Sequence, residues 1–106
     1  MAQSSTEAFI YLEATCPERN VARRYSISIS RDLFGETIVD VSWGRIGRRG
    51  QGRAVSFSSS GDATTFAHKL LNRRKGAPKR IGTAYAVIDS HGWKAALEAK
   101  SPKQSL

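Results

Sequence analysis

"TIVDVSWGRIGRRGQGRAVSFSS", residues 37–59, reads as two strands joined by a glycine-rich hairpin. Over 37–46, Val39, Val41 and Trp43 share one side while Ile38, Asp40 and Ser42 share the other, the two-residue period of a strand with one face against a core. Trp43 therefore stands on the apolar face at the end of the strand. The period breaks at "GRRGQG", 47–52, where three glycines in six residues suit a loop that needs positive φ or close backbone approach. The chain then returns as "RAVSFSS", 53–59, a fourth strand.

Ahead of this hairpin, "ARRYSISIS" (22–30) alternates Tyr25, Ile27 and Ile29 with Ser26, Ser28 and Ser30, the clearest strand in the sequence. Tyr25 reads as core for that reason. "FIYLEAT" (9–15) is rich in strand formers, and "CPERN" after it marks a turn. "RDLFGE" supplies a short connection, with Leu33 and Phe34 as an apolar plug. Behind the hairpin the period changes. Over 59–76, Phe66, Leu70 and either Ala63 or Ala67 fall on one side of a helix, with Leu71 adjoining, Ser59 and Asp62 at its start and Gly76 and Pro78 at its end. "TAYAVID" (83–89) reads as a last short strand. The expected fold is α+β, a small antiparallel sheet crossed by one α-helix. It forms a single domain over 7–89, followed by a C-terminal tail, 90–106, partly helical through "WKAALEAK" or disordered.

The 106 residues carry 17 Lys and Arg against nine Asp and Glu, and 11 of the cations are arginine. The excess is local. From Trp43 to Arg80 there are ten cations and a single acid, Asp62. A solubility device would be spread along the chain, whereas this is the electrostatic footprint of a polyanionic partner. Cys16 is the one cysteine, so no internal disulfide forms and no Cys/His set offers a zinc site. His68 and His91 have no Ser, Cys or carboxylate partner at a recognisable spacing, which argues against catalysis. No metal and no cofactor is expected. No stretch approaches the roughly 18 apolar residues of a membrane span, and the start lacks a basic segment followed by an apolar run. These features point to a cytoplasmic protein with no membrane partner.

The triplet Trp43-Gly44-Arg45, followed by Ile46-Gly47 and Gly50-Gln51, resembles the WGR domain. "DLFG" ahead of the strand, "RN" at 19 and 20, the Phe66 helix and the basic run toward "KRIGTAY" extend the resemblance over about residues 9–86. The version with "DLFG" is similar to bacterial WGR proteins rather than to the poly(ADP-ribose) polymerases, where the module is one of several. The resemblance implies an antiparallel sheet crossed by a single helix. It also implies a non-catalytic module that binds DNA at strand breaks, with the motif's Trp packing on a terminal nucleotide and the Arg beside it. The polymerase activity lies in another domain, which nothing in this chain is long enough to supply. One departure is "RIGTAY" in place of the family's "RGY", which displaces Tyr85.

Two candidate nucleic-acid-binding patches follow. The first holds Trp43, Gly44, Arg45, Arg48, Arg49, Gln51 and Arg53, where glycines let the backbone approach a phosphate and arginine forks hold its oxygens in pairs. Trp43 reads either as a core indole or as a platform for a sugar or base. The second patch is Arg73, Arg74, Lys75, Lys79 and Arg80, more cations than the end of a helix requires. DNA is the favoured partner and RNA the next. The reading from a different class is an adaptor that docks an acidic protein through the same basic face.

Overall fold

The computed structural model describes residues 5–93. Five strands, β1 (Ser5–Cys16), β2 (Val21–Arg31), β3 (Thr37–Arg45), β4 (Gln51–Phe57) and β5 (Ala86–His91), form one antiparallel sheet in the order β4-β3-β2-β1-β5. A 15-residue helix, α1 (Ser60–Arg74), leaves β4 at one edge. A five-residue helix, α2 (Ala77–Ile81), precedes the strand at the other edge. The chain is thus an α+β domain, a small antiparallel sheet crossed by one main helix, as the sequence indicates.

The alternation in β2 sets the core. Ile27 is fully buried, with Ile10 and Val41 as its cross-strand neighbours, and the next row places Leu12, Tyr25 and Trp43 side by side. Neighbouring strands lie ~4.8 Å apart, so each row is a continuous apolar band. Ser26, Ser28 and Ser42 line the opposite face, which no element covers among the described residues. Ala63 and Ala67, one turn apart on α1, have no exposed surface and let the helix lie close on the sheet. Phe66 packs on Phe57 with ring centroids 5.3 Å apart. The start of α1 is the capped one expected, with the Asp62 amide donating to Ser59 Oγ at 3.2 Å.

Two expectations are corrected and one is extended. Leu33 and Phe34 are not a plug: they are 70 % and 88 % exposed. Asp32 accounts for this, because its Oδ1 accepts from the amides of Phe34 and Glu36, both at 2.9 Å, and the tight turn throws the intervening side chains outward. α1 ends where Gly76 and Pro78 mark it, and a second helix not expected from the sequence, α2, begins there with Pro78 in its first turn, where a missing N–H costs no hydrogen bond. The last strand runs to His91 rather than Asp89, and Trp93 beyond it is 6 % exposed in the core cluster. The remainder of the tail, 94–106, lies outside the described residues.

Trp93→Ala should destabilise the domain by ~3–5 kcal/mol, the usual cost of truncating a buried large aromatic. Denaturant unfolding measures it, and an unchanged midpoint would place Trp93 outside the core.

Candidate nucleic-acid interface

Five residues, Ile46 to Gly50, join β3 to β4. Their path is fixed by a close approach of two glycines. A β carbon at Gly44 would lie 2.7 Å from Gly50 Cα, and one at Gly50 would strike the Trp43 carbonyl oxygen. Gly50 also has φ +70°, a region that side chains rarely adopt. Arg24 reaches across from the open face of β2 and ties the loop down. Its Nη1 donates to Ser42 Oγ at 3.1 Å, and its Nη2 to the carbonyls of Arg48 and Arg49 at 2.9 and 2.5 Å. The Ile46 amide donates to Ala22 O, and the Arg48 amide to Arg45 O. The backbone is held at its base while the Arg48 and Arg49 side chains stand in solvent.

Trp43 is half-buried, packed against the edge of the core. Its indole separates two grooves on the helix side of the sheet. One, about 530 Å³, runs along α1 and is walled by Arg53, Phe66, Leu70 and Arg73. The other, about 340 Å³, faces the strand end and is walled by Arg23, Gly44, Arg45 and Tyr85. Trp43 and Arg74 line both. The Arg74 guanidinium lies over the Tyr25 ring, 4.4 Å from its centroid, a contact worth ~0.5–2 kcal/mol. Arg74 Nε is buried with no acceptor among the described residues. Tyr85 packs on the same phenol, with centroids 6.3 Å apart.

The candidate residues are therefore placed unequally. Trp43, Gly44, Arg45, Arg53, Arg73 and Arg74 meet around the two grooves. Arg45 is exposed but partly engaged, donating to Asn20 O at 3.3 Å and to Asn20 Oδ1 at 3.0 Å. Gln51 lies opposite Trp43 in the β3–β4 register and is exposed, and Arg48 and Arg49 extend from the hairpin beside it. Lys75 caps α1 away from Trp43, on a third groove. Lys79 is exposed on α2, and Arg80 turns back to donate to Arg73 O at 3.1 Å. Neither walls a Trp43 groove. The residues that sequence reasoning missed are Arg23 and Arg24, which shape the second groove and the loop, and Asn20, which holds Arg45. Tyr25, read only as core, also seats Arg74. Within the strand read over 22–30, Arg24 alternates with Tyr25 and so shares the serine face, a placement that gives its side but not its partners.

The described residues contain one ion pair, Arg31 with Glu7, at 3.0 Å. No carboxylate among them neutralises the arginines around Trp43. Nor does any group of three His, Cys, Asp or Glu among them gather to hold a metal. No helix of these residues is long and apolar enough to cross a membrane.

Burial pushes the Tyr25 phenol up from its ordinary value, with the nearby Arg74 charge opposing. Tyr11 is also raised, chiefly by its hydrogen bond to Glu13 at 2.7 Å. The protonated phenols are the favoured forms in the fold. Their contribution to stability is fully present below the unfolded value of about 10 and is lost as pH rises through the folded-state value. In a spectrophotometric titration, the difference between the parent and Tyr25→Phe curves should have its midpoint above about 10. A midpoint at the ordinary value would contradict the buried phenol. Gly50→Ala, by the contact above, should displace the hairpin. It is expected to speed exchange of the Arg48 amide with solvent, and an unchanged rate would mean that the loop has room for a side chain.

A sequence profile for the WGR domain matches residues 8–78. An uncharacterised protein of Sinorhizobium fredii, y4dW, is 34 % identical over 92 residues. That alignment takes in 87 % of this chain and 44 % of the relative, so the chain spans less than half the length of that protein.

Proposed function

The chain belongs to the WGR family, and from that premise we propose that it is a non-catalytic DNA-binding module that grips strand ends or nicks. In the poly(ADP-ribose) polymerases the WGR domain is a nucleic-acid-binding module, and the basic grooves here suit the same class of partner. The observation that carries the reading is the half-exposed Trp43 indole, set between two grooves whose arginines have no carboxylate partner among the described residues. A continuous duplex hides its base faces, so an indole finds a flat partner where a strand stops. Stacking of one base on such a ring contributes ~1–3 kcal/mol. Arg45, Arg53, Arg73 and Arg74 would contact the flanking phosphates, with Arg48, Arg49 and Gln51 on the hairpin beside them. Lys75, Lys79 and Arg80 add to the field at greater distance. Phosphate contacts position the strand without selecting sequence. A cytoplasmic setting belongs to the same reading.

Binding of blunt, nicked, closed-duplex and single-stranded DNA and RNA at matched salt tests it. The parent should prefer ends and nicks. Trp43→Ala should lose that preference while keeping general affinity, with thermal melts run beside it because the indole also packs on the core. Arg73→Glu, an exposed position, should weaken every nucleic acid and lower the log–log salt slope by about 1 per phosphate contact removed. A folded Trp43→Ala protein that still selects ends would refute the stacking role. A parent with a flat salt slope would point instead to an acidic protein as the partner of this face.

A further inference from the structure

At the opposite end of the sheet from Trp43, the turn between β2 and β3 holds two large apolar side chains in solvent. Leu33 is 70 % and Phe34 88 % exposed. The turn is closed at several points: Asp32 Oδ1 holds two amides, the Asp32 amide donates to Glu36 O at 3.0 Å, and the Gly35 amide to Asp32 O at 3.2 Å. A rigid turn loses little further entropy on docking, so the pair is already arranged for contact. Two carboxylates, Asp32 and Glu36, flank it, and the neighbouring Arg31 is neutralised by Glu7.

The same chain carries a complementary surface. A groove of about 370 Å³ lies between α1 and the β1–β5 side of the sheet, with Ile10, Leu12, Leu71, Tyr85 and Val87 as its apolar wall. Arg74 and Lys75 supply the cations in that wall. Apolar side chains flanked by acids thus match an apolar groove flanked by bases. The turn of a chain cannot reach that chain's own groove. Val87 and Leu12 lie in the row of Tyr25, and the turn begins six residues farther along β2, about 20 Å away at strand rise.

We propose that the Leu33–Phe34 turn of one copy docks into the Leu12–Leu71–Val87 groove of a second copy. The two surfaces are different, so the contact is head-to-tail, and each added copy leaves a free turn at one end and a free groove at the other. Nucleic acid is not needed for this contact, although Arg74 borders both this groove and those beside Trp43, and association measured without nucleic acid tests it apart from the function proposed above.

Sedimentation velocity of the full chain without nucleic acid, over a concentration series, tests the proposal. The parent's mean mass should climb past that of a dimer. A Leu33→Ser/Phe34→Ser variant and a Val87→Glu variant change positions that are more than half exposed, so both should keep the parent's circular dichroism, and each should weaken self-association by about tenfold or more. Mixing the two variants leaves one intact turn and one intact groove, and should give dimers and nothing larger. A parent that stays monomeric at every concentration, association that survives either variant, or mixtures that grow beyond dimers would each overturn the proposal.

Discussion

Backbone contact between Gly44 and Gly50 is the constraint from which the rest of the basic face is built. With no β carbon at either position, the end of β3 and the start of β4 close to a distance that side chains would forbid. The hairpin then has one course, sealed by Arg24 on its carbonyls. Trp43 precedes Gly44 and shares its backbone with the contact, so the indole is fixed at the end of its strand without being buried under α1. A larger residue at Gly50 would push against the Trp43 carbonyl itself, and so against the residue that divides the grooves. Loop shape and indole position are thus one problem with one solution.

The end of α1 presents a difficulty that its side chains resolve. A helix C-terminus carries roughly half a negative charge and repels an anion. Here that terminus lies beside the grooves. Arg80 donates to the Arg73 carbonyl, which also accepts from the Gly76 amide, while Arg73, Arg74 and Lys75 place three full charges in the last turn and cap. The local field is cationic by a wide margin. Arg74 is less exposed than Arg73 or Lys75, and its guanidinium is held over the Tyr25 ring rather than swinging in water. An arginine already desolvated and oriented has less freedom to lose when it meets a phosphate.

Much of this was legible in the sequence because it rests on local pattern. The serine alternation around Ile27, the capped start at Ser59 and the glycine spacing after Trp43 each state their structure within a few residues. What was not legible depends on partners distant in the chain. Arg24 looked like one more cation beside Arg23, and its task appears only when β2 and β3 pair and bring it under the carbonyls of Arg48 and Arg49. Trp93 lies in the stretch read as a tail rather than in any element assigned to the core, and its place in the core cluster depends on contacts with strands distant in the chain. Leu33 and Phe34 misled for the converse reason. Hydropathy says that such a pair prefers burial, while the Asp32 turn dictates the direction in which they point, and backbone geometry wins.

Topology explains why residues from three parts of the chain converge at Trp43. β4 and β5 occupy opposite edges of the sheet, so the intervening segment must traverse its face. α1 begins beside β4, with Ala63 and Ala67 seated close, and its last turn arrives over β2, at Tyr25. A helix of 15 residues spans ~22 Å at 1.5 Å per residue, whereas the two strand spacings from β4 to β2 come to ~10 Å, so a slanting course brings its basic end past β3 to β2. Among the described residues, the same crossing leaves the β1–β5 side to Leu71, Tyr85 and Trp93, and an apolar groove lies there. One short helix laid on a five-stranded sheet thus yields both features at once, a cationic cleft where it ends and an uncovered apolar strip where it does not reach.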